Sequence, residues 1–267
     1  MVKNMAVSQE PVVKIEREGG VAILTLNRPD SLNALNTELM RTLPGEVRNL
    51  AEDDSVACVV ITGAGEAFCA GGDVKAMSQA AQARVDGTAP RHATHESRVR
   101  WLRRSSEATR ILFTMPKPAI AMINGACAGA GLAFAGACDF RFASDRAKFV
   151  PSLVVKGMPG DYGGAWFWTH ILGTAKARQL YLDDRRRTAA EALAFGLVDQ
   201  VIEHDRLREE VMALAHRLAG YPPSGVAYLR ENLTAATTEP LDQYLERESQ
   251  NMMLARNALV DLQRRKS

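Results

Sequence analysis

The chain has 267 residues, 46% of them apolar and 24% charged, and a formal net charge of +2. That length can bury a substantial core in one large domain or in a main domain with an appendage, and the composition excludes disordered and fibrous classes. The small net charge, with no basic stripe carrying interleaved aromatics, argues against nucleic-acid binding and for a small substrate.

After a polar leader ending at Pro11, residues Val12 to Arg17 and Val21 to Asn27 alternate apolar and polar around Gly19-Gly20, the pattern of a β-hairpin. Arg28-Pro29-Asp30-Ser31 is turn chemistry, and Asn36 or Thr37 can cap an amphipathic helix running to about Ala51. Val56 to Thr62 is a nearly continuous, β-branched apolar run, which suggests a strand buried on both faces as in a helix-covered parallel sheet. Asp73 to about Gln82 reads as helix, Ala83 to Thr94 as loop, and Arg98 to about Thr114 as helix stopped before Pro116. A strand over Ala119 to Ile123 leads to a helix from about Ala130 to Ala137, with short strands at Asp139 to Ala143 and Lys148 to Phe149. Strand and helix alternate through this half, which argues an α/β fold.

From Gly163 the pattern is mostly helical. Thr188 and Glu191 form a capping box for a helix that stops at Gly196, and Leu197 to Ile202 is a last strand. Arg206 to Leu218, Ser224 to about Ala236 and Leu241 to Leu262 then follow as helices, so a boundary falls near His204, between a core of residues 1–204 and a helical segment of residues 205–267. The apolar stripe Leu241, Tyr244, Leu245, Met252, Leu259 and Leu262 must be covered by its own core or by another subunit.

Cys58, Cys69, Cys127 and Cys138 lack metal-type spacing and the N-terminus lacks signal-peptide order, so a reduced, cytoplasmic protein is expected. Ala119 to Cys138 carries no charge over a bilayer-spanning length, but glycines interrupt it, and the expectation is a buried strand, a turn and a buried helix with no membrane contact.

Two glycine-rich stretches carry the chemistry: Phe68-Cys69-Ala70-Gly71-Gly72-Asp73, and the run from Ile123 to Gly131. Each follows a strand and precedes a helix start, where free backbone N–H groups point at a ligand. Two such donors meeting at one oxygen form an oxyanion hole. Glycines demanded only by backbone geometry are the alternative, but neither a dinucleotide nor a phosphate-loop fingerprint is present. Serine-elbow and zinc-protease motifs are missing too, and Ser152 has no partner base.

The order of these segments, Asn27-Arg28-Pro29 with Leu32-Asn33-Ala34-Leu35, Ile61-Thr62-Gly63 with the first glycine stretch, Lys117-Pro118-Ala119-Ile120-Ala121 with Asn124-Gly125, and Ala192 to Val201, resembles the enoyl-CoA hydratase/isomerase (crotonase) superfamily from about Val12 to the C-terminus. The resemblance implies a crotonase-like core of repeated ββα units and a C-terminal helical segment that builds a homotrimer or homohexamer. It implies an acyl-CoA thioester substrate, with coenzyme A as part of that substrate and no metal or redox cofactor. It assigns Gly72 and Ala130 as the oxyanion donors, and Ala70, Gly71, Asp73 and Val74 as the CoA-contacting loop.

The positions matching the two hydratase glutamates hold Ala133 and Leu153, neither of which transfers a proton. Asp161 matches a third acidic position used by some isomerases and, as a nucleophile, by dehalogenases of the superfamily. One carboxylate can carry a proton between carbons, which favours double-bond isomerisation over hydration or hydrolysis. The alternative role for Asp161 is an N-cap for the helix opening near Gly163. A binding protein that lost catalysis is a further alternative.

Arginines at 84, 91, 98, 100, 103, 104 and 110 outnumber acids between Lys75 and Lys117, and a solvated helix face is the expected reading over phosphate contact. Glu107 becomes a second carboxylate only if its helix turns inward; His92 and His95 are expected at the surface. Trp101, Trp166 and Trp168 wall a bulky acyl group or pack in the core.

Overall fold

The computed structural model describes residues 10–88, 90 and 94–264, without the side chains at 262 and 263; Arg91, His92 and the Leu262 side chain fall outside it. The hairpin forms as its alternation predicts, β1 (Val13–Glu18) pairing antiparallel with β2 (Val21–Leu26), Val13 opposite Leu26. Asn36 accepts the Leu39 N–H at 2.9 Å and opens α1 (Thr37–Glu52), whose Leu39, Leu43, Val47 and Leu50 stripe is buried. β3 (Cys58–Gly63) is buried at every residue, as a helix-covered strand must be.

The first glycine stretch holds a strand that sequence reading missed, β4 (Ala67–Cys69), ahead of α2 (Val74–Val85). The second holds β6 (Ala126–Ala128), between β5 (Ala119–Ile123) and α5 (Ala130–Ala137). Three residues are too few to show a period of two, so glycine content masked both strands. Between these units lie α3 (His95–Ser105) and α4 (Glu107–Thr114). The helix expected from Arg98 begins earlier because Thr94 caps it, accepting the Ser97 N–H at 3.2 Å, and it is broken at Ser106.

β7 (Phe140–Ser144) and β8 (Lys148–Val150) precede α6 (Gly164–Asp183), which is interrupted at Gly173, where φ is +76°. β9 (Arg187–Thr188) leads into α7 (Ala189–Phe195) through the expected capping box, and Gly196 at φ +95° ends that helix. The final strand β10 is shorter than expected, Gln200–Ile202, with Leu197 and Val198 buried in the turn before it. α8 (Leu207–Ala219), α9 (Pro223–Ala235) and α10 (Leu241–Arg264) complete the chain.

The strands form a six-stranded sheet in the order β1-β2-β3-β5-β7-β10 and a four-stranded sheet in the order β4-β6-β8-β9. Consecutive strands from β3 to β8 therefore alternate between sheets, as the expected ββα repeat requires, and β9 then pairs antiparallel with β8 in the smaller sheet. Alternate residues of the larger sheet face opposite ways: Leu24, Leu26, Val59 and Ile61 enter the main core, while Ile23, Cys58, Val60 and Ile120 pack beneath Leu207, Val211 and Ala215 of α8. All four cysteines are free and buried, and among the described residues no helix is long and apolar enough to cross a membrane.

Candidate active site

Two asparagines draw the strand ends together. Asn33, fully buried, accepts the Arg28 N–H and donates to the Ala64 and Ala67 carbonyls at 2.9 and 2.7 Å. Asn124 donates to the Gly63 and Gly65 carbonyls at 2.9 and 2.8 Å. The backbones then approach so closely that a Cβ at Gly125 would stand 1.8 Å from the Glu66 oxygen, and one at Gly131 would stand 2.5 Å from the Cys69 oxygen. Only glycine fits there.

This packing sets the two loops side by side. Gly71, at φ +88°, lies against the second glycine turn, and a Cβ on it would meet the Ala128 oxygen at 3.0 Å and the Gly129 Cα at 3.3 Å. The next residue in each loop is an expected oxyanion donor. Leu35 bridges to the first loop, donating to the Gly71 oxygen at 2.7 Å and accepting from Asp73 N–H at 3.1 Å. The Gly72 N–H is left over. Ala130 is the first residue of α5, whose cap Gly129 offers no side chain, so its N–H has no intrahelical acceptor. Among the described residues neither N–H has a protein acceptor.

Gly72 and Asp161 line one cavity of about 480 Å³, walled also by Met40, Met77, Trp101 and Leu153. Ala130 does not reach that wall directly and is held beside it through the Gly71–Gly129 contact. Asp161 is not a cap. α6 starts at Gly164 behind a left-handed Gly163 with no side-chain cap bond, and it is the Asp161 main-chain oxygen that receives the Gly164 N–H, at 3.1 Å. The carboxyl is therefore free for the cavity, and its Oδ1 is buried without a hydrogen-bond partner. Burial alone pushes its pKa above the usual carboxylate range. The titratable groups around it are the Cys69 thiol, pushed to about 12, and the Tyr162 and Tyr181 phenols, also pushed up by burial; the Asp161 charge raises all three further.

The two residues expected at the hydratase glutamate positions, Ala133 and Leu153, lie in apolar surroundings. Ala133 is buried on α5 and Leu153 stands in the cavity wall, on a loop held by Asp184, which accepts the Ser152 and Val155 N–H groups. Asp73 has a structural use: it caps α2 through the Ala76 N–H at 3.2 Å and pairs with Arg28 at 3.1 Å, bonds that hold its carboxyl below the usual range. Gly71 also serves the loop packing just described, whereas Val74, at the start of α2, is 59% exposed and does not line the cavity.

Glu107 does not turn inward. It pairs with Arg103 and, at 2.7 Å, with Arg110; burial raises its pKa, but these two arginines hold it below the usual value, and it lies outside the Asp161 cavity. The remaining described arginines of that stretch are exposed, as is His95. Of the three tryptophans, Trp101 walls the cavity, Trp168 is fully buried with its Nε1 donating to the Leu132 oxygen at 3.0 Å, and Trp166 stacks edge-on against Phe113 away from the cavity. Sequence reading missed Met77, whose sulfur approaches Gly72, because nothing in its spacing sets it apart from an ordinary helix face. It also missed Thr109, which reaches the Tyr162 main chain.

Residues 16–259 match the enoyl-CoA hydratase/isomerase family. The chain is similar to 1,2-epoxyphenylacetyl-CoA isomerase of Escherichia coli (strain K12), 34% identical over 238 residues that cover 89% of this chain and 87% of that one. It is similar to the short-chain-enoyl-CoA hydratase of Clostridium acetobutylicum, 31% identical over 239 residues, 89% of this chain and 87% of that one. The crystal structure of enoyl-CoA hydratase subunit I from Geobacillus kaustophilus HTA426 superposes with a TM-score of 0.79 at 30% identity, covering 91% of this chain and 89% of that one. With the fold, the paired glycine loops and these likenesses in agreement, the chain belongs to the enoyl-CoA hydratase/isomerase family of the crotonase superfamily.

Proposed function

We propose that this enzyme moves a C=C bond in an enoyl-CoA thioester by single-carboxylate proton transfer. The thioester oxygen accepts hydrogen bonds from the Gly72 and Ala130 N–H groups, each contributing about 3 kcal/mol to the enolate-like transition state. The Asp161 carboxylate takes the α-proton of a 3-enoyl thioester, leaving a dienolate, and as the acid returns that proton at the γ-carbon. The reverse direction uses the same steps. The carboxylate is regenerated and no water is consumed, so the route requires no metal or redox group; coenzyme A enters as part of the substrate, along Ala70, Gly71, Asp73 and Val74.

The observation that carries this reading is the desolvated Asp161 carboxyl, the one acidic group in the cavity lining among the described residues. A raised pKa makes a stronger base, and an apolar wall keeps water from competing for the proton. Net hydration requires a second group, and Ala133 and Leu153 supply none. The Clostridium relative, named a hydratase, supports water addition as the second reading, with Asp161 activating the water.

Supplying a trans-2-enoyl-CoA and its 3-enoyl isomer in parallel separates the two readings. Isomerisation from the 3-enoyl compound creates the conjugated absorbance; hydration of the trans-2-enoyl compound removes it. Loss of the conjugated band with accumulation of hydroxyacyl product would overturn the isomerase reading. Tight acyl-CoA binding with no turnover, unchanged in Asp161→Asn, would leave only a binding protein.

The segment 205–267 we assign to assembly, as a trimer or hexamer. Within it α8 packs on the sheet, while Leu229 and Leu233 of α9 and Leu241 and Met252 of α10 are each more than half exposed, an apolar surface that water does not favour. Four free, buried thiols support a reducing, cytoplasmic setting.

A further inference from the structure

An unpaired carboxyl in an apolar cavity gains by swinging out to water, so its backbone must be held. The segment carrying Asp161 is poorly suited to hold itself: Gly160, Tyr162 and Gly163 all have positive φ, at +111°, +53° and +78°, and Tyr162 occupies the left-handed region without glycine's freedom. Beyond the local Gly164 N–H bond to the Asp161 oxygen, contacts from other elements restrain it. The Tyr162 ring is buried against Phe134, with centroids 5.5 Å apart, and the Thr109 hydroxyl lies 2.9 Å from the Tyr162 main-chain oxygen.

Thr109 is buried on α4, and its hydroxyl is also 2.9 Å from the Ser106 oxygen of its own helix. One proton serves one acceptor at a time. The Ser106 oxygen has the Arg110 N–H as well, at 3.4 Å, whereas no other protein donor reaches the Tyr162 oxygen among the described residues. A buried carbonyl left without a donor costs about 1–3 kcal/mol, so the proton belongs on Tyr162. α4 is itself anchored: Arg230, from α9, donates to the Leu112, Phe113 and Met115 carbonyls at the C-terminal end of α4 and pairs with Asp139 at 3.0 Å.

We propose that Thr109 is the positioning residue for Asp161, its hydroxyl fixing the peptide that follows the acid so that the carboxyl stays in the cavity. The proposal rests on the reading of Asp161 as the acid/base, and its test separates the two. Thr109→Val keeps the shape and removes the donor; Thr109→Ser keeps the donor. The Asp161 titration is read by carbon NMR on aspartate-labelled protein, the resonance being identified by its loss in Asp161→Asn, alongside steady-state turnover of 3-enoyl-CoA.

In Thr109→Val the carboxyl gains water, its midpoint moves down toward the ordinary range, and kcat falls by about tenfold or more while KM stays within about twofold. Thr109→Ser restores both. A threonine with a packing role alone lowers the melting temperature and leaves the Asp161 midpoint in place, and that result, or equal behaviour of the Val and Ser variants, would overturn the proposal. Should the valine variant not fold, Thr109→Ala against Thr109→Ser decides by the same midpoint. An enzyme that turns over neither isomer defeats the proton-transfer reading, and the Asp161 midpoint still decides the role of Thr109.

Discussion

A buried carboxyl without a partner weakens the fold that holds it. Asp161 has a pKa raised by burial, so the folded state binds its proton more tightly than the unfolded chain does. Stability then falls as pH rises from the ordinary aspartate pKa of 3.8 through the raised value, and above that the full cost is present. Asp161→Asn removes the cost. Its melting temperature should exceed that of the wild type in mildly alkaline buffer and converge with it in acid, while turnover falls by about a thousandfold; thermal melts across pH and an isomerase assay check both. A variant less stable at every pH would mean that the carboxyl is held by partners it was not seen to have. The oxyanion donors can be tested as directly. Proline is accepted at the first position of a helix, where no intrahelical bond is lost, so Ala130→Pro deletes one N–H while α5 can persist. With circular dichroism unchanged, kcat should fall by about a hundredfold or more.

At the scale of elements, the site is built by short pieces that carry little pattern of their own. Long amphipathic α1 and the fully buried β3 were legible because an apolar stripe sustained over four helical turns, or one unbroken apolar run, speaks for them. β4 and β6 were not, because each is three residues long and sits among glycines whose reason is tertiary: Gly125 and Gly131 admit a carbonyl from a neighbouring segment that lies more than fifty positions away in sequence. The same blindness applied to Asp161, since an aspartate that caps a helix and one left free read alike until Gly163 is seen at the N-cap position of α6. Glu107 shows the converse: its two arginine partners lie three and four residues away, at helical spacing, and that alone could have marked it as a surface pair. If the glycines are there to let the strand ends close, Gly125→Ala should destabilise by about 2 kcal/mol or more, since a backbone oxygen cannot step aside as a flexible side chain can. Denaturant unfolding measures it, and a variant as stable as the wild type would refute the close-packing account.

Across the whole molecule, the acid is tied to the C-terminal helices. Arg230 on α9 grips the end of α4, and α4 presents Thr109 to the residue after Asp161. α9 in turn packs on α10, where a buried Asn251–Asn232 hydrogen bond of 2.7 Å sets their register. These two helices nevertheless leave much of their apolar surface bare: Leu229 is 58% exposed, Leu233 61%, Met252 57% and Met253 51%. Covering one such side chain is worth about 1.5–3 kcal/mol, so several together suffice to drive subunit association. Leu229→Glu places a charge on that surface, beside Met252 and Met253, while leaving the residues of the Asn–Asn pair and the Arg230 clamp in place. If that surface is the proposed subunit contact, sedimentation should show a smaller assembly for this variant than for the wild type, with secondary structure retained by circular dichroism. Because α9 anchors α4, a monomer whose α9 frays should also lose turnover, restored in part by raising protein concentration; a variant that remains fully assembled and fully active would place the subunit contact elsewhere on the chain.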